Sequence, residues 1–299
     1  MRAWTSAGFT IDLPPGHRFP IAKYALVRDG LVAQRILMPG DIAEPERAER
    51  WTVELVHERG YVDDILDGTL APAHARRLGL PCSAQLRERS LRTVQGTLEA
   101  ARDALESGAG VNLAGGTHHA FADHGEGFCV FNDTAIAVRV LQREGRVRRV
   151  AVVDLDVHQG NGTARIFAGD ADVFTFSMHG AKNFPFRKET GSLDVELDDG
   201  TDDPAYLALL GLHLDAALDR ASPDLVFYLA GADPFAGDRF GRLGLSMAGL
   251  RERDARVFAA CRRRDLPVAV TLAGGYAPDL HDVVAIHANT VRELRCAYG

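Results

Sequence analysis

Short, mostly apolar runs alternate along this chain with longer segments whose apolar residues recur every three or four positions. The short runs are rich in β-branched and aromatic residues and lie at 111–114, 150–153, 173–176, 225–230 and 268–272. Such runs predict strands that are buried on both faces, and the longer patterns predict helices. We therefore expect an α/β fold, an open parallel sheet flanked by helices.

Residues that start or stop helices support this division. The helix through Leu91, Leu98 and Leu105 is predicted to end near Gly108, because glycine readily closes a helix. Asn132 and Asp133 are typical N-terminal capping residues for the next predicted helix, which should end at Gly145. Two further helices are predicted at 204–218 and 247–263.

Each of the five predicted strands runs into a turn that contains histidine, carboxylate, hydroxyl or paired glycine residues. In chain order these turns lie at 115–119, 154–162, 177–179, 231–233 and 274–276. In open parallel sheets, ligands bind beyond the carboxyl ends of the strands. One polar strand end could be an ordinary solvated loop, but five in succession predict an active site at one edge of the sheet.

The second turn carries the sharpest chemical pattern, Asp154-Leu-Asp156-Val-His158. Side chains alternate faces along extended backbone, so these three polar side chains are expected to point the same way. Carboxylate oxygens and an imidazole nitrogen are suitable ligands for Zn²⁺ or a similar divalent ion. The alternative is an acidic strand end that only faces water.

Composition narrows the functional class. The net charge of −7 argues against general nucleic-acid binding, and no apolar run is long enough for a membrane span. The first residues lack the apolar core of a signal peptide, so we expect a cytoplasmic protein. The four cysteines form no Cys-x-x-Cys pair. Gly160 and Gly162 begin a dinucleotide-like loop, but Arg165 replaces its third glycine, which argues against a nucleotide cofactor.

Together these motifs resemble the zinc-dependent histone deacetylase superfamily, and most closely its class IV and bacterial branches. The resemblance rests on blocks in the family's order, namely His17–Pro20 with Lys23-Tyr24, Gly115–Ala120, Gly127–Asp133, Asp154–Gly162, Gly231–Asp233 and Gly274–Tyr276. It implies that residues 1–299 form one catalytic domain. It also implies an eight-stranded parallel sheet with flanking helices, a fold shared with arginases.

The resemblance further implies roles for individual residues. Asp156, His158 and Asp233 match the ligands of one Zn²⁺. His119 matches the general base and acid, and His118 its neighbour beside the reacting water. Asp154 matches the partner that orients His118, whereas Asn161 stands where many members have an aspartate that orients His119. Tyr276 matches the hydrogen-bond donor to the oxyanion.

Other positions match substrate and ion contacts. Phe128 and Phe184 correspond to the aromatic walls of a narrow tunnel, and Gly127 and Gly275 to backbone beside the substrate. Asp154, Ser177 and Met178 correspond to a K⁺ or Na⁺ site. The implied reaction removes an acetyl or longer acyl group from an acylated lysine of a protein or peptide.

Three alternatives stay open at this point. One is a deacetylase for acetylpolyamines or other small amides. Another is an arginase-like enzyme with two manganese ions, which is disfavoured because Pro234 and Phe235, not a second carboxylate, follow Asp233. The last is a silent module that binds acylated ligands without hydrolysing them.

Overall fold

The computed structural model describes residues 1–299. Eight strands form one sheet in the order β2-β1-β3-β8-β7-β4-β5-β6, and every neighbouring pair is parallel. The strands are β1 Ala3–Trp4, β2 Ile42–Ala43, β3 Ala109–Asn112, β4 Val150–Asp154, β5 Val173–Gly180, β6 Leu193–Leu197, β7 Leu225–Leu229 and β8 Val268–Thr271. The predicted open, all-parallel sheet is therefore confirmed.

Ten helices connect and cover these strands. They are α1 Lys23–Ala33, α2 Arg50–Val53, α3 Arg59–Asp67, α4 Pro72–Leu78, α5 Ala84–Ser107, α6 Asp133–Arg143, α7 Asn161–Ile166, α8 Asp203–Ala221, α9 Met247–Arg262 and α10 Leu280–Tyr298. No helix is both long enough and apolar enough to cross a membrane.

Each face of the sheet packs against its own hydrophobic core. In β4, Val150 and Val152 belong to one buried cluster, whereas Ala151 and Val153 belong to the other. Successive side chains of a strand point to opposite faces, so a strand buried on both sides must be apolar throughout. This requirement explains the uninterrupted apolar run that precedes Asp154.

All five predicted strands are present, although their ends shift by one to four residues. The helix ends are confirmed too. Gly108 adopts a left-handed conformation at the end of α5, and the Asn132 side chain accepts a hydrogen bond from the Ala135 N–H at the start of α6. The sequence reading missed β1 and β2, which are two residues long, and β6, which is a half-exposed edge strand.

The sheet order explains why the polar turns meet. The strands β3, β8, β7, β4 and β5 are consecutive neighbours and all parallel, so their carboxyl ends lie along one edge. These are the five strands whose following turns carry the predicted site residues. The prediction of one shared edge is therefore confirmed.

Candidate active site

Asp156, His158 and Asp233 form a buried cluster at this edge. Each contributes a ligand atom, and these atoms lie within 4.8 Å of one another. His158 Nδ1 lies 3.0 Å from Asp156 Oδ1 and 3.2 Å from Asp233 Oδ2. The cluster could therefore hold a metal ion, as the Asp-x-His spacing suggested.

Two features of the cluster suit a bound cation. Asp233 Oδ2 is buried and accepts no hydrogen bond within the protein, an arrangement that leaves a costly unsatisfied acceptor unless something binds it. A Cβ atom at Gly274 would lie 2.0 Å from that oxygen and 2.5 Å from Asp156 Oδ2. Glycine is therefore required where the backbone passes close to both carboxylates. An Asp/His/Asp set fits Zn²⁺ and leaves room for a fourth ligand.

The carboxylates are held by backbone N–H groups as well. The Val157 N–H donates to Asp233 Oδ1 at 2.9 Å, and the Gly274 N–H donates to Asp156 Oδ2 at 2.9 Å. Burial and the negative charge of Asp156 raise the pKa of Asp233 to about 7, although His158 opposes the shift. Without a metal, the carboxyl of Asp233 is thus partly protonated at neutral pH, and a bound dication would displace that proton.

His118 and His119 lie next to the cluster with adjacent rings, 4.1 Å apart between centroids. Burial disfavours a charge on His118, but the carboxylates of Asp154 and Asp156 outweigh it and raise the pKa of His118 to about 9. Burial and the nearby charges of His118 and His158 instead hold the pKa of His119 well below its ordinary value. Two neighbouring imidazoles are thus driven toward different protonation states.

The predicted orienting residues are in place. Nδ1 of His118 lies 2.7 Å from Asp154 Oδ2, and Nδ1 of His119 lies 2.7 Å from Asn161 Oδ1. The amide nitrogen of Asn161 donates to Glu126 Oε1 at 2.6 Å, which fixes the orientation of the amide. His119 therefore donates from Nδ1 and keeps its Nε2 lone pair available.

Asp133 was predicted to help cap α6, but its side chain bonds to the turn before His118 instead. Its buried carboxylate accepts hydrogen bonds from the N–H groups of Gly116 and Thr117 and from the hydroxyls of Thr117 and Thr97. These bonds hold the turn that leads into His118. Asn132 alone caps α6, and the side chain of Asp133, the first residue of that helix, instead fixes the start of the histidine pair.

Tyr276 stands on the turn after β8. Its ring centroid lies 6.4 Å from that of His158, which in turn lies 5.8 Å from that of His119. Burial raises the pKa of Tyr276 well above its ordinary value, so its hydroxyl remains a hydrogen-bond donor at neutral pH.

Buried Lys23 holds the turn after β8 in place through hydrogen bonds to its backbone. Its Nζ donates to the carbonyl oxygens of Ala273 and Gly275, at 2.9 and 3.5 Å, and lies 5.3 Å from the centroid of the Tyr276 ring. Lys23 belongs to a block that resembles the family, but its sequence position indicates no function. The role of Lys23 became visible only in the structure, because its burial and its carbonyl partners depend on residues 250 positions further along the chain.

A surface cleft of about 760 Å³, termed the mouth, leads to His119 and His158. Its lining includes Gly127, Phe128, Phe184 and Tyr276. The edge of the Phe184 ring meets the His119 ring, with centroids 4.9 Å apart. Gly127 has a φ of +56°, and a Cβ there would lie 2.6 Å from His119 Cδ2.

A second, inner cavity of about 70 Å³ lies beyond the site, among His118, His119, Gly115, Gly116 and Arg89. It is large enough for a few waters or a short acyl extension. Gly275 lines neither cavity. Its φ of +142° and the close approach of Val283 and Ala232 require glycine for the backbone, and its contact with substrate stays a prediction.

The strand register places Asp154 opposite Ser177 in β4 and β5, with buried Met178 next along β5. The Ser177 hydroxyl bonds to Nδ1 of His179 at 2.9 Å. The predicted K⁺ or Na⁺ site at these residues stays a prediction.

Comparisons with known proteins agree with this geometry. The sequence model of the protein family described as the histone deacetylase domain matches residues 17–291 of the chain. The chain belongs to the histone deacetylase family. Histone deacetylase 2 of Arabidopsis thaliana is 30% identical over 278 residues, which cover 90% of this chain and 72% of that protein. An uncharacterised protein of Picosynechococcus sp. is 45% identical over 290 residues, or 97% of each chain.

A solved structure shows the same fold. An HDAC homologue complexed with SAHA superposes with a TM-score of 0.81 at 21% identity, covering 99% of this chain and 83% of that one. The predicted family and the α/β fold are thus confirmed, and the family is one of deacetylase hydrolases. The cluster of Asp156, His158 and Asp233 is a buried group that could bind a metal ion in such a fold.

Proposed function

We propose that this chain is a zinc-dependent amidohydrolase that removes an acetyl or longer acyl group from an acylated lysine side chain. The observation that carries the proposal is the convergence of three potential metal ligands with two adjacent histidines, each bonded at Nδ1, and a buried tyrosine. Residues 1–299 would serve as one catalytic domain that acts in the cytoplasm.

Asp156, His158 and Asp233 would hold the Zn²⁺, with Gly274 leaving space for the two carboxylates. When bound, Zn²⁺ would polarise the acyl carbonyl and lower the pKa of the attacking water. The aromatic rings of Phe128 and Phe184 at the mouth would surround the lysine methylenes and exclude water.

The protein groups then account for the proton transfers. His119, neutral and with Nε2 free, takes a proton from water as the water oxygen attacks the carbonyl carbon. Tyr276 donates a hydrogen bond to the oxygen that becomes negative. When the C–N bond breaks, His119 returns the proton to the lysine nitrogen, so the first products are a carboxylic acid and an amine. The proton of the acid then passes to the amine, which leaves a carboxylate and a lysine ammonium group. His118, whose Nδ1 is bonded to Asp154, lies beside His119 and would adjust the charge around the reacting water.

The test is hydrolysis of matched peptides that carry acetyl-, octanoyl- or myristoyl-lysine, with N-acetylputrescine beside them, before and after treatment with a zinc chelator. We expect chelator-sensitive release of acyl groups from peptide lysine, and recovery when Zn²⁺ is restored. Turnover of N-acetylputrescine alone would favour the polyamine alternative. No turnover with one metal bound per chain would contradict the proposal in favour of a silent binding module.

Asn161 gives a prediction about pH. Asn161→Asp places a carboxylate on Nδ1 of His119, which raises the pKa of that imidazole by about one to three units. The base must be neutral to work, so raising its pKa moves the acidic limb of the kcat profile to higher pH. The new carboxylate would also meet Glu126, which lies within hydrogen-bond distance of residue 161.

The double variant Asn161→Asp/Glu126→Gln removes that repulsion, because the glutamine amide can donate to the new carboxylate. It is expected to show the full upward shift, and Glu126→Gln alone is the control. An acidic limb that stays in place in the double variant would mean that residue 161 does not tune His119.

A further inference from the structure

Six cationic side chains line the mouth that leads to His119. They come from four separate segments, all six are exposed, and together they are named the cationic rim: Arg18, Arg76, Arg77, Lys182, Arg239 and Arg242. Glu126 is the one carboxylate that lines the same mouth. The chain as a whole has a net charge of −7, so the rim is a local concentration of positive charge in an acidic protein.

Nearby acids neutralise only part of the rim. Arg77 lies 3.7 Å from Glu126, while Lys182 and Arg242 share Asp199 at 3.8 and 3.3 Å. The other three members, Arg18, Arg76 and Arg239, form no ion pair within 4 Å. Arg18 instead lies over the ring of Phe240, 5.7 Å from its centroid. A cleft that keeps unpaired charges of one sign attracts ligands of the opposite sign and repels those of the same sign.

The shape of the mouth indicates the size of the ligand. Its volume of about 760 Å³ far exceeds the inner cavity of about 70 Å³, and one lysine stem would fill little of it. Phe186 also lines the mouth, with 86% of its surface exposed, and its ring meets the ring of Phe184 edge-on. An exposed aromatic beside unpaired arginines suits a polypeptide that offers both apolar and acidic side chains.

We infer that the cationic rim selects acyl-lysines that lie in acidic segments of polypeptide. This inference rests on the proposed function and specifies its substrate class. A free polyamine carries positive charge and is repelled by the rim. Carboxylates on either side of the acyl-lysine meet Arg76 and Arg239, while the lysine stem passes Phe128 and Phe184.

The test compares three acetyl-lysine peptides of equal length, flanked by Asp and Glu, by Ser and Gly, or by Lys and Arg. We expect kcat/KM for the acidic peptide to exceed that for the basic one by at least about tenfold at 50 mM salt. The ratio should shrink at 500 mM salt, because salt screens exposed charges. Equal kcat/KM for all three peptides would overturn the inference while leaving the deacylase intact.

The variant Arg76→Gln/Arg239→Gln should reduce the ratio of acidic to basic turnover several-fold, chiefly through KM. The matched control is Arg148→Gln/Arg149→Gln, two exposed arginines just before β4, at the opposite end of the strand from the site. The control should keep the ratio. An unchanged ratio in the rim variant would overturn the assignment to Arg76 and Arg239.

Two further ligands distinguish other sources of negative charge. A single-stranded oligonucleotide that inhibits better than the acidic peptide at physiological salt would overturn the inference in favour of nucleic acid. An acetylated small amine carrying one carboxylate, if hydrolysed faster than the acidic peptide, would overturn it in favour of a small anion. If no peptide releases acetate in a chelator-sensitive way, the proposed function itself fails, and the rim then has no bearing on substrate choice.

Discussion

Asp233→Ala is expected to release the bound metal and to abolish hydrolysis. Asp233 is fully buried, and its Oδ2 atom is directed at the ligand cluster without any other partner. Without the Asp233 carboxylate, only Asp156 and His158 remain as ligands, and the single negative charge of Asp156 does not balance a dication. We expect metal affinity to fall by more than roughly 100-fold, since loss of a residue that only supports a ligand already lowers affinity by about 10- to 100-fold.

The measurement is metal content per chain after dialysis, with kcat measured on the same sample. Asp233→Asn serves as a second variant because it keeps the volume of the side chain and an oxygen that can accept the Val157 N–H. Asp224→Asn, on the surface before β7, is the control and should retain metal and activity. One metal per chain in both Asp233 variants would remove Asp233 from the ligand set.

Tyr276→Phe is expected to lower kcat by about 100- to 1000-fold while metal content and KM stay nearly constant. Tyrosine differs from phenylalanine only by the hydroxyl that would donate to the oxyanion. Loss of one such donor typically lowers kcat by a factor of this size. Binding of the ground state should change little, because the interaction forms only as negative charge develops.

Phe240→Leu controls for aromatic packing, since Phe240 contacts the Tyr276 ring with centroids 5.0 Å apart. Phe240→Leu should perturb the position of the Tyr276 ring without removing its hydroxyl, so kcat should fall much less than in Tyr276→Phe. Near-normal kcat in Tyr276→Phe would exclude the oxyanion role. A large rise in KM with unchanged kcat would instead make Tyr276 a binding residue.

The central part of the sheet could be predicted because burial on both faces leaves a local signature. In β4 every residue from Val150 to Val153 must be apolar, and the polar residues begin where the strand ends. The outer strands carry no such signature. β1 and β2 are too short for any pattern, and β6 is half-exposed along most of its length.

The candidate ligands Asp156 and His158 could be predicted from their spacing after a buried run, although both lie in the bend that follows β4 and not on extended strand. Asp233 was assigned through the family resemblance and not from local spacing, because it follows a different strand 75 residues after His158. Only the order of strands in the sheet brings β7 beside β4.

What the sequence alone determined is the fold class, the edge of the sheet where the site lies and the chemical groups that it offers. These follow from periodicity and from residue types within short segments. Only the tertiary structure decided how Asn161 meets Glu126, how Lys23 holds the turn of Tyr276, and that six cations from four segments surround the mouth. Such contacts join residues far apart in the chain, and no local pattern specifies them, because their geometry depends on how the whole sheet and its helices pack.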